Sequence, residues 1–176
     1  MDRFGKRSAI VVPIGLPEAL ETIRQEHVDN AGLGVPAHAT LLFPFVPPRQ
    51  LGGADLERAA AAIAETDSFD VAFRKARSFD PTTTKDGVVW LEPEPSAPFI
   101  AMTQALVGAF PGYLPYGGLH DTVIPHLTLA NVDVDLPELL AAARPELPFS
   151  RRVASAAMLV EDSAGRWRVA RELPLG

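Results

Sequence analysis

Apolar and polar positions alternate along this chain in two rhythms, one of period two and one near 3.6, and the two kinds of run take turns. Ser8–Ile14 is continuous and apolar, which predicts a strand, and Pro17 stands where the first turn of a helix reaching Asp29 would begin. Asn30–Pro36, with Gly32 and Gly34, reads as a loop into a second strand, His38–Val46, which Pro47-Pro48 and Gly52-Gly53 break off. Ala54–Thr66 places Leu56, Ala60, Ile63 and Ala64 at helical spacing. Phe69–Phe79 alternates as a half-exposed strand, and a turn at Thr82–Gly87 joins it to the short strand Val88–Leu91. Ser96 is placed to cap a third helix ending near Phe110, with Pro98 in its first turn.

Gly112–Val123 is a Gly-, Tyr- and Pro-rich loop that delivers the strand Pro125–Val132. A short helix at Pro137–Ala143 follows, and then a hairpin of Phe149–Glu161 and Arg166–Leu173 around Asp162–Gly165. The two halves echo each other as helix, loop, strand, helix, hairpin. An α+β architecture of mostly antiparallel sheet with outer helices follows, in a single domain over residues 1–176.

Two of these strands open on the same phrase. His38-Ala39-Thr40-Leu41 follows Pro36, and His126-Leu127-Thr128-Leu129 follows Pro125, with the two histidines 88 positions apart. In a strand, residues two apart share a face, so each phrase offers an imidazole and a hydroxyl to one side and apolar residues to the other. For this composition a chance double occurrence is on the order of one in a thousand. One copy alone would be an ordinary strand histidine; two are a signal.

These two phrases resemble the paired H-x-[ST]-h motifs (h apolar) of the 2H phosphoesterase superfamily, which includes bacterial 2′-5′ RNA ligase-like proteins and cyclic phosphodiesterases. The resemblance runs from Ala9 to about Leu173. It implies two pseudo-symmetric lobes with the motifs facing across a central cleft. It also implies that His38, Thr40, His126 and Thr128 form the catalytic set, acting on 2′,3′-cyclic phosphates, 2′-5′ linkages or related phosphodiesters, in some members as ligases.

The chemistry suits the residues. Imidazole, with an unperturbed pKa of about 6.5, can serve as base or acid, and a pair on one phosphate supplies both. The threonine hydroxyls can donate to the non-bridging oxygens. Both histidines must then reach the same phosphate, within on the order of 5–8 Å of each other. No carboxylate stands at ligand spacing around either motif, there is no H-E-x-x-H, and the absence of cysteine excludes disulfides and thiolate sites, so neither metal nor cofactor is expected.

Further candidates for substrate binding are Arg77 and Arg151 as cations, Tyr113 and Tyr116 as stacking surfaces, and His120 in the loop before the second motif. Trp90, in the run VVWL, reads as core, and His27 as a favourable charge at a helix C-terminus. The basic clusters at Arg74–Arg77, Arg151-Arg152 and Arg166, Arg168 and Arg171 read as solvated strand faces.

Composition narrows the partner. A net charge of −6 argues against extended binding along a nucleic-acid backbone and favours a small nucleotide or an RNA end. No segment has the apolar length to span a bilayer, and the apolar stretch near the N-terminus is too short for a signal peptide, so a cytoplasmic monomer is expected. Two other readings compete with the phosphoesterase: a non-catalytic nucleotide or RNA-end binding module with the same cleft, and a plain interaction domain in which the repeat is coincidence. Convergence of His38 and His126 on one cleft separates the first two from the third.

Overall fold

The computed structural model of the chain describes residues 4–79, 87–120 and 122–176. Eight strands, β1 (Phe4–Pro13), β2 (His38–Leu42), β3 (Phe69–Phe79), β4 (Val88–Glu94), β5 (Leu127–Ala130), β6 (Phe149–Val153), β7 (Ser155–Asp162) and β8 (Trp167–Pro174), form one antiparallel sheet. Their order across it is β6-β3-β4-β5-β2-β1-β7-β8. Four helices, α1 (Glu18–His27), α2 (Gly53–Ala64), α3 (Ala97–Ala109) and α4 (Leu136–Ala143), interrupt the strands.

Alternation along the central strands decides what each face buries. On β1, Ile10 and Val12 join the main core, while Ala9 and Val11 point the other way into a second, smaller cluster. On β7, Ala156 and Met158 join the first, Ala157 and Leu159 the second. Both strands are buried on two faces, and that is why they read as continuous apolar runs rather than alternating ones. The main core takes in Leu20 of α1, Ile63 of α2, Phe99 and Leu106 of α3 and Leu139 of α4. The helices therefore cover that side, and the opposite side of the sheet keeps only the small cluster of Ala9, Val11, Val35, Ala157 and Leu159, flanked by Phe43 and Trp167.

The sequence anticipates most elements, and three differences are instructive. Ser96 precedes α3 but its hydroxyl caps nothing, and Pro98 alone marks the start. The motif strand beginning at His38 ends at Leu42, because Pro44 has no N–H to give a ladder; Phe45 then donates to the Ser8 carbonyl at 3.0 Å. The largest difference concerns Phe149–Glu161. It is two strands broken at Ala154: β6 pairs with β3 at one edge, and β7 pairs with β1 far across the sheet. The terminal hairpin is β7 with β8. The turn expected at Thr82–Gly87 lies, but for Gly87, outside the described residues.

Two four-stranded halves result, β5-β4-β3-β6 and β2-β1-β7-β8, meeting at the two motif strands. The first hairpin in the chain, β3 with β4, lies beside the second motif strand, and the last hairpin lies beside β1, the neighbour of the first motif strand. The echo along the chain is thus crossed over in space.

Candidate active site

The seam of the sheet sets the site. β2 and β5 run antiparallel with Ala39 opposite Leu127. Extending that register by one residue in each direction sets His38 across from Thr128 and Thr40 across from His126. Ala39, Leu41, Leu127 and Leu129 belong to the helix-side core at 0–1% exposure, so all four polar side chains stand together on the other face. Directly opposed residues have β-carbons about 4.5–5.5 Å apart and diagonal ones about 7–8 Å. The two histidines occupy one diagonal and the two threonines the other.

Each imidazole is turned by the same local bond. Nδ1 of His38 meets the Pro36 carbonyl at 2.7 Å, and Nδ1 of His126 meets the Ile124 carbonyl at 2.6 Å. A carbonyl can only accept, so Nδ1 carries hydrogen in both rings and Nε2 is the bare nitrogen of each neutral imidazole. Burial is the main influence on both rings and pulls each pKa below its ordinary value, while the carbonyl bond acts in the opposite sense. At His38 the positive charge of Arg24, and after it that of His126, lowers the value further.

The two histidines keep different company. His126 has Phe79 perpendicular to it at 5.2 Å and Trp90 at 5.9 Å, and those two rings stack on each other at 4.9 Å. Trp90 is only 5% exposed, as a core residue would be, yet it packs against the site and its Nε1 has no partner. A cavity of about 400 Å³ opens beside His126, bordered by Phe79, Tyr116, His120 and Ile124. His38 and Thr40 face a different cavity of about 370 Å³, with Val11, Phe43, Leu159 and Trp167 as apolar wall and Asp29, Asn30 and Asn131 as polar rim. Arg7 lies 5.4 Å from the Trp167 ring centre and is paired with Glu161.

A third space of about 90 Å³ lies between the motifs, bordered by Arg24, Asn30, His38, Thr128 and Asn131. Arg24 is 4% exposed and held by Glu21 at 2.7 Å and by the Val35 carbonyl at 3.1 Å. Asn131 and Asp29 exchange two bonds of 3.1 Å, which ties the end of β5 to the end of α1. The buried Oδ1 of Asn30 is without a partner.

Of the substrate-binding candidates, Tyr116 and His120 stand at the site, their rings 5.9 Å apart. Tyr113 does not; its ring packs on Phe45 at 5.8 Å in the helix-side core. Arg77 is paired with Glu92 at 2.9 Å, and Arg151 donates to the Gly15 and Ser150 carbonyls; neither borders the three cavities. Arg24, Asn30, Asn131 and Phe79 join the site without a place among the sequence candidates. The one signal for any of them is Asn131, which closes the second motif's own run. Arg74, Arg152 and Arg171 are surface ion pairs, and His27 bonds the Val132 carbonyl. Among the described residues no helix is long and apolar enough to cross a membrane, and no group of three His, Cys, Asp or Glu could hold a metal ion.

Solved structures of similar shape include that of Escherichia coli LigT in apo form, with a TM-score of 0.56 and 17% identity over 98% of both chains. The protein TT0787 of Thermus thermophilus aligns at a TM-score of 0.56 and 17% identity, covering 96% of this chain and 97% of its own. LigT complexed with 3′-AMP aligns at 0.54 and 17%, over 97% and 98%. No curated protein matches the sequence significantly. The family model of the 2′-5′ RNA ligase superfamily matches residues 12–165. That span holds both His-x-Thr-Leu phrases, the seam they share and all four helices behind it, and on it this chain belongs to the 2′-5′ RNA ligase superfamily.

Proposed function

We propose that the cleft cleaves phosphodiesters of nucleotide size, 2′,3′-cyclic phosphates or 2′-5′ linkages, with His38 and His126 as a base and acid pair. The observation that carries this reading is the register of Ala39 on Leu127, because it puts two imidazoles and two hydroxyls around one point on an uncovered face. A phosphate at that point has a histidine at each end of its in-line axis and a threonine on each side. The family supports a phosphoesterase, and LigT has been solved with the nucleotides 3′-AMP, NADP+ and ATP.

In hydrolysis the neutral imidazole takes a proton from water as the water oxygen bonds to phosphorus. The bond from phosphorus to the leaving oxygen breaks, and the protonated imidazole gives its proton to that oxygen. Thr40 and Thr128 donate to the non-bridging oxygens, whose charge grows during the step. Arg24 disfavours a second positive charge at His38, which suits His38 to the base role. His126, where the Ile124 carbonyl bond works against burial to favour the protonated ring, takes the acid role. The net charge of −6 fits a short substrate rather than a long RNA track.

Turnover of a 2′,3′-cyclic mononucleotide or a 2′-5′ dinucleotide that persists in excess EDTA is the expected result. Loss of turnover with chelator, restored by a divalent ion, would replace this mechanism with a metal-assisted one. Binding of both nucleotides without turnover of either would make the chain a binding module instead.

A further inference from the structure

The cavities beside the two histidines differ in charge. The one at His38 has Arg7, Asp29, Asn30 and Asn131 on its border. The one at His126 is walled by Phe79, Tyr116, Val123 and Ile124, and no Asp, Glu, Lys or Arg among the described residues borders it. Its wall is held from behind. Phe79 stacks on Trp90 with centroids 4.9 Å and planes 22° apart, and stands perpendicular to the His126 ring at 5.2 Å. Trp90 is itself buried and sits opposite Thr128 in the pairing of β4 with β5.

The rest of the wall comes from the loop between α3 and β5, which is pinned at three points. Tyr113 packs on Phe45 at 5.8 Å, the Tyr116 N–H donates to the Phe43 carbonyl at 2.5 Å, and the Ile124 carbonyl accepts from Nδ1 of His126 at 2.6 Å. A wall so fixed loses little freedom when a ligand arrives. Ile124 is 49% exposed, so a ring resting on it takes apolar surface out of water. Phe79 adds the attraction between aromatic rings. A phosphate in the same place would give up water without meeting a cation, and the net charge of −6 opposes it further.

We propose that the cavity beside His126 seats the alcohol that leaves, and that this alcohol ends in a single uncharged aromatic ring with no further phosphate. This rests on the two-histidine reading of the cleft. The water oxygen bonds to phosphorus as His38 takes its proton, the phosphorus–oxygen bond to the ring-bearing alcohol breaks, and His126 gives that oxygen a proton, so the alcohol departs neutral. The polar cavity beside His38 holds the arm that keeps the phosphate. A 2′-5′ linkage qualifies where the departing nucleoside carries no second phosphate, at the end of a chain; inner linkages do not.

The test offers adenosine 2′-phosphate as its methyl ester, its benzyl ester and a benzyl ester bearing a para phosphate. Methanol and benzyl alcohol differ little in acidity, so the two ester bonds are alike in intrinsic lability. We expect kcat/KM for the benzyl ester to exceed that for the methyl ester by about 10-fold, and the added phosphate to lower it about 10-fold again. In variants the benzyl-to-methyl ratio is read rather than the rate, because Phe79 touches His126. The ratio should fall to about 2-fold in Phe79→Leu and persist in Phe79→Trp, which keeps an aromatic ring. It should also persist in Phe43→Leu, which alters the other cavity. A ratio near unity in the wild type, a ratio unchanged in Phe79→Leu or lost in Phe43→Leu, or equal turnover of the phosphorylated ester overturns the proposal. Cleavage of a 2′,3′-cyclic nucleotide but of none of the esters overturns it as well. If the wild type cleaves neither, the catalytic reading fails by itself and the binding of benzyl phosphate against methyl phosphate decides. Tighter benzyl phosphate binding that is lost in Phe79→Leu then supports the ring site; equal binding overturns it.

Discussion

His38 and His126 begin from the same phrase and the same bond from Nδ1 to a carbonyl two residues back, yet their surroundings are unlike. Around His38 the neighbours are charged or amide groups, Arg24, Asn30 and Asn131, with a partly apolar cavity beyond. Around His126 they are rings, Phe79 and Trp90. The short phrase therefore sets where the four side chains stand, and residues far from it in sequence set what surrounds each ring. On the proposed mechanism, a symmetric motif placed in asymmetric surroundings becomes a directed pair.

The comparison breaks most severely when either ring is removed. His38→Ala and His126→Ala should each lower kcat/KM by about 10³-fold, and the double variant should lose little more, because the pair acts as one unit. A His38→Ala protein that stays folded and keeps wild-type turnover on its substrate would end the two-histidine account. Thr40→Val and Thr128→Val come next, each costing roughly 10–1,000-fold in kcat. Wild-type kcat in either variant would remove that hydroxyl from the phosphate.

A subtler intervention changes one side alone. Arg24→Gln removes a positive charge that lowers the His38 pKa, so that value should rise. With His38 as base, the acid limb of the kcat/KM profile then moves to higher pH while the alkaline limb stays. Movement of the alkaline limb instead would exchange the two roles.

The smallest effect is on stability. Both imidazoles are held below their ordinary values, so between those values and about 6.5 the unfolded chain binds more protons than the folded one. Stability should therefore fall as pH drops below about 6.5. Unfolding midpoints measured against pH should fall less steeply for the double alanine variant. Identical slopes would show that the folded chain does not resist protonation at these rings.

The motif residues and their shared face are readable from sequence because strand alternation is a local property: Ala39, Leu41, Leu127 and Leu129 are buried as that alternation requires. Strand partnership is not local. Nothing in the run Phe149–Glu161 announces that Val153 will face Phe69 while Ala157 faces Val11. No glycine or proline marks Ala154, where the chain leaves one half of the sheet for the other. Arg24 is illegible for a related reason. On α1 it looks like any solvent-facing charge, and only the Val35 carbonyl, brought in by the chain's return, makes it a buried one. Trp90 reads as core and is buried, but the identity of its neighbour, His126, comes from the register of β4 on β5.

The break at Ala154 also bears on biogenesis. β7 flanks β1 and β8 flanks β7, and they supply Leu159 and Trp167 to the cavity at His38, so the first motif's half of the sheet is finished by residues translated after every strand of the other half. A nascent chain halted before residue 155 would carry both histidines and all four helices while β1 lacked its outer neighbour. On the proposed mechanism the cleft becomes competent only after the ribosome has passed Trp167, and a chain cut short in that interval would be inert with its motifs intact.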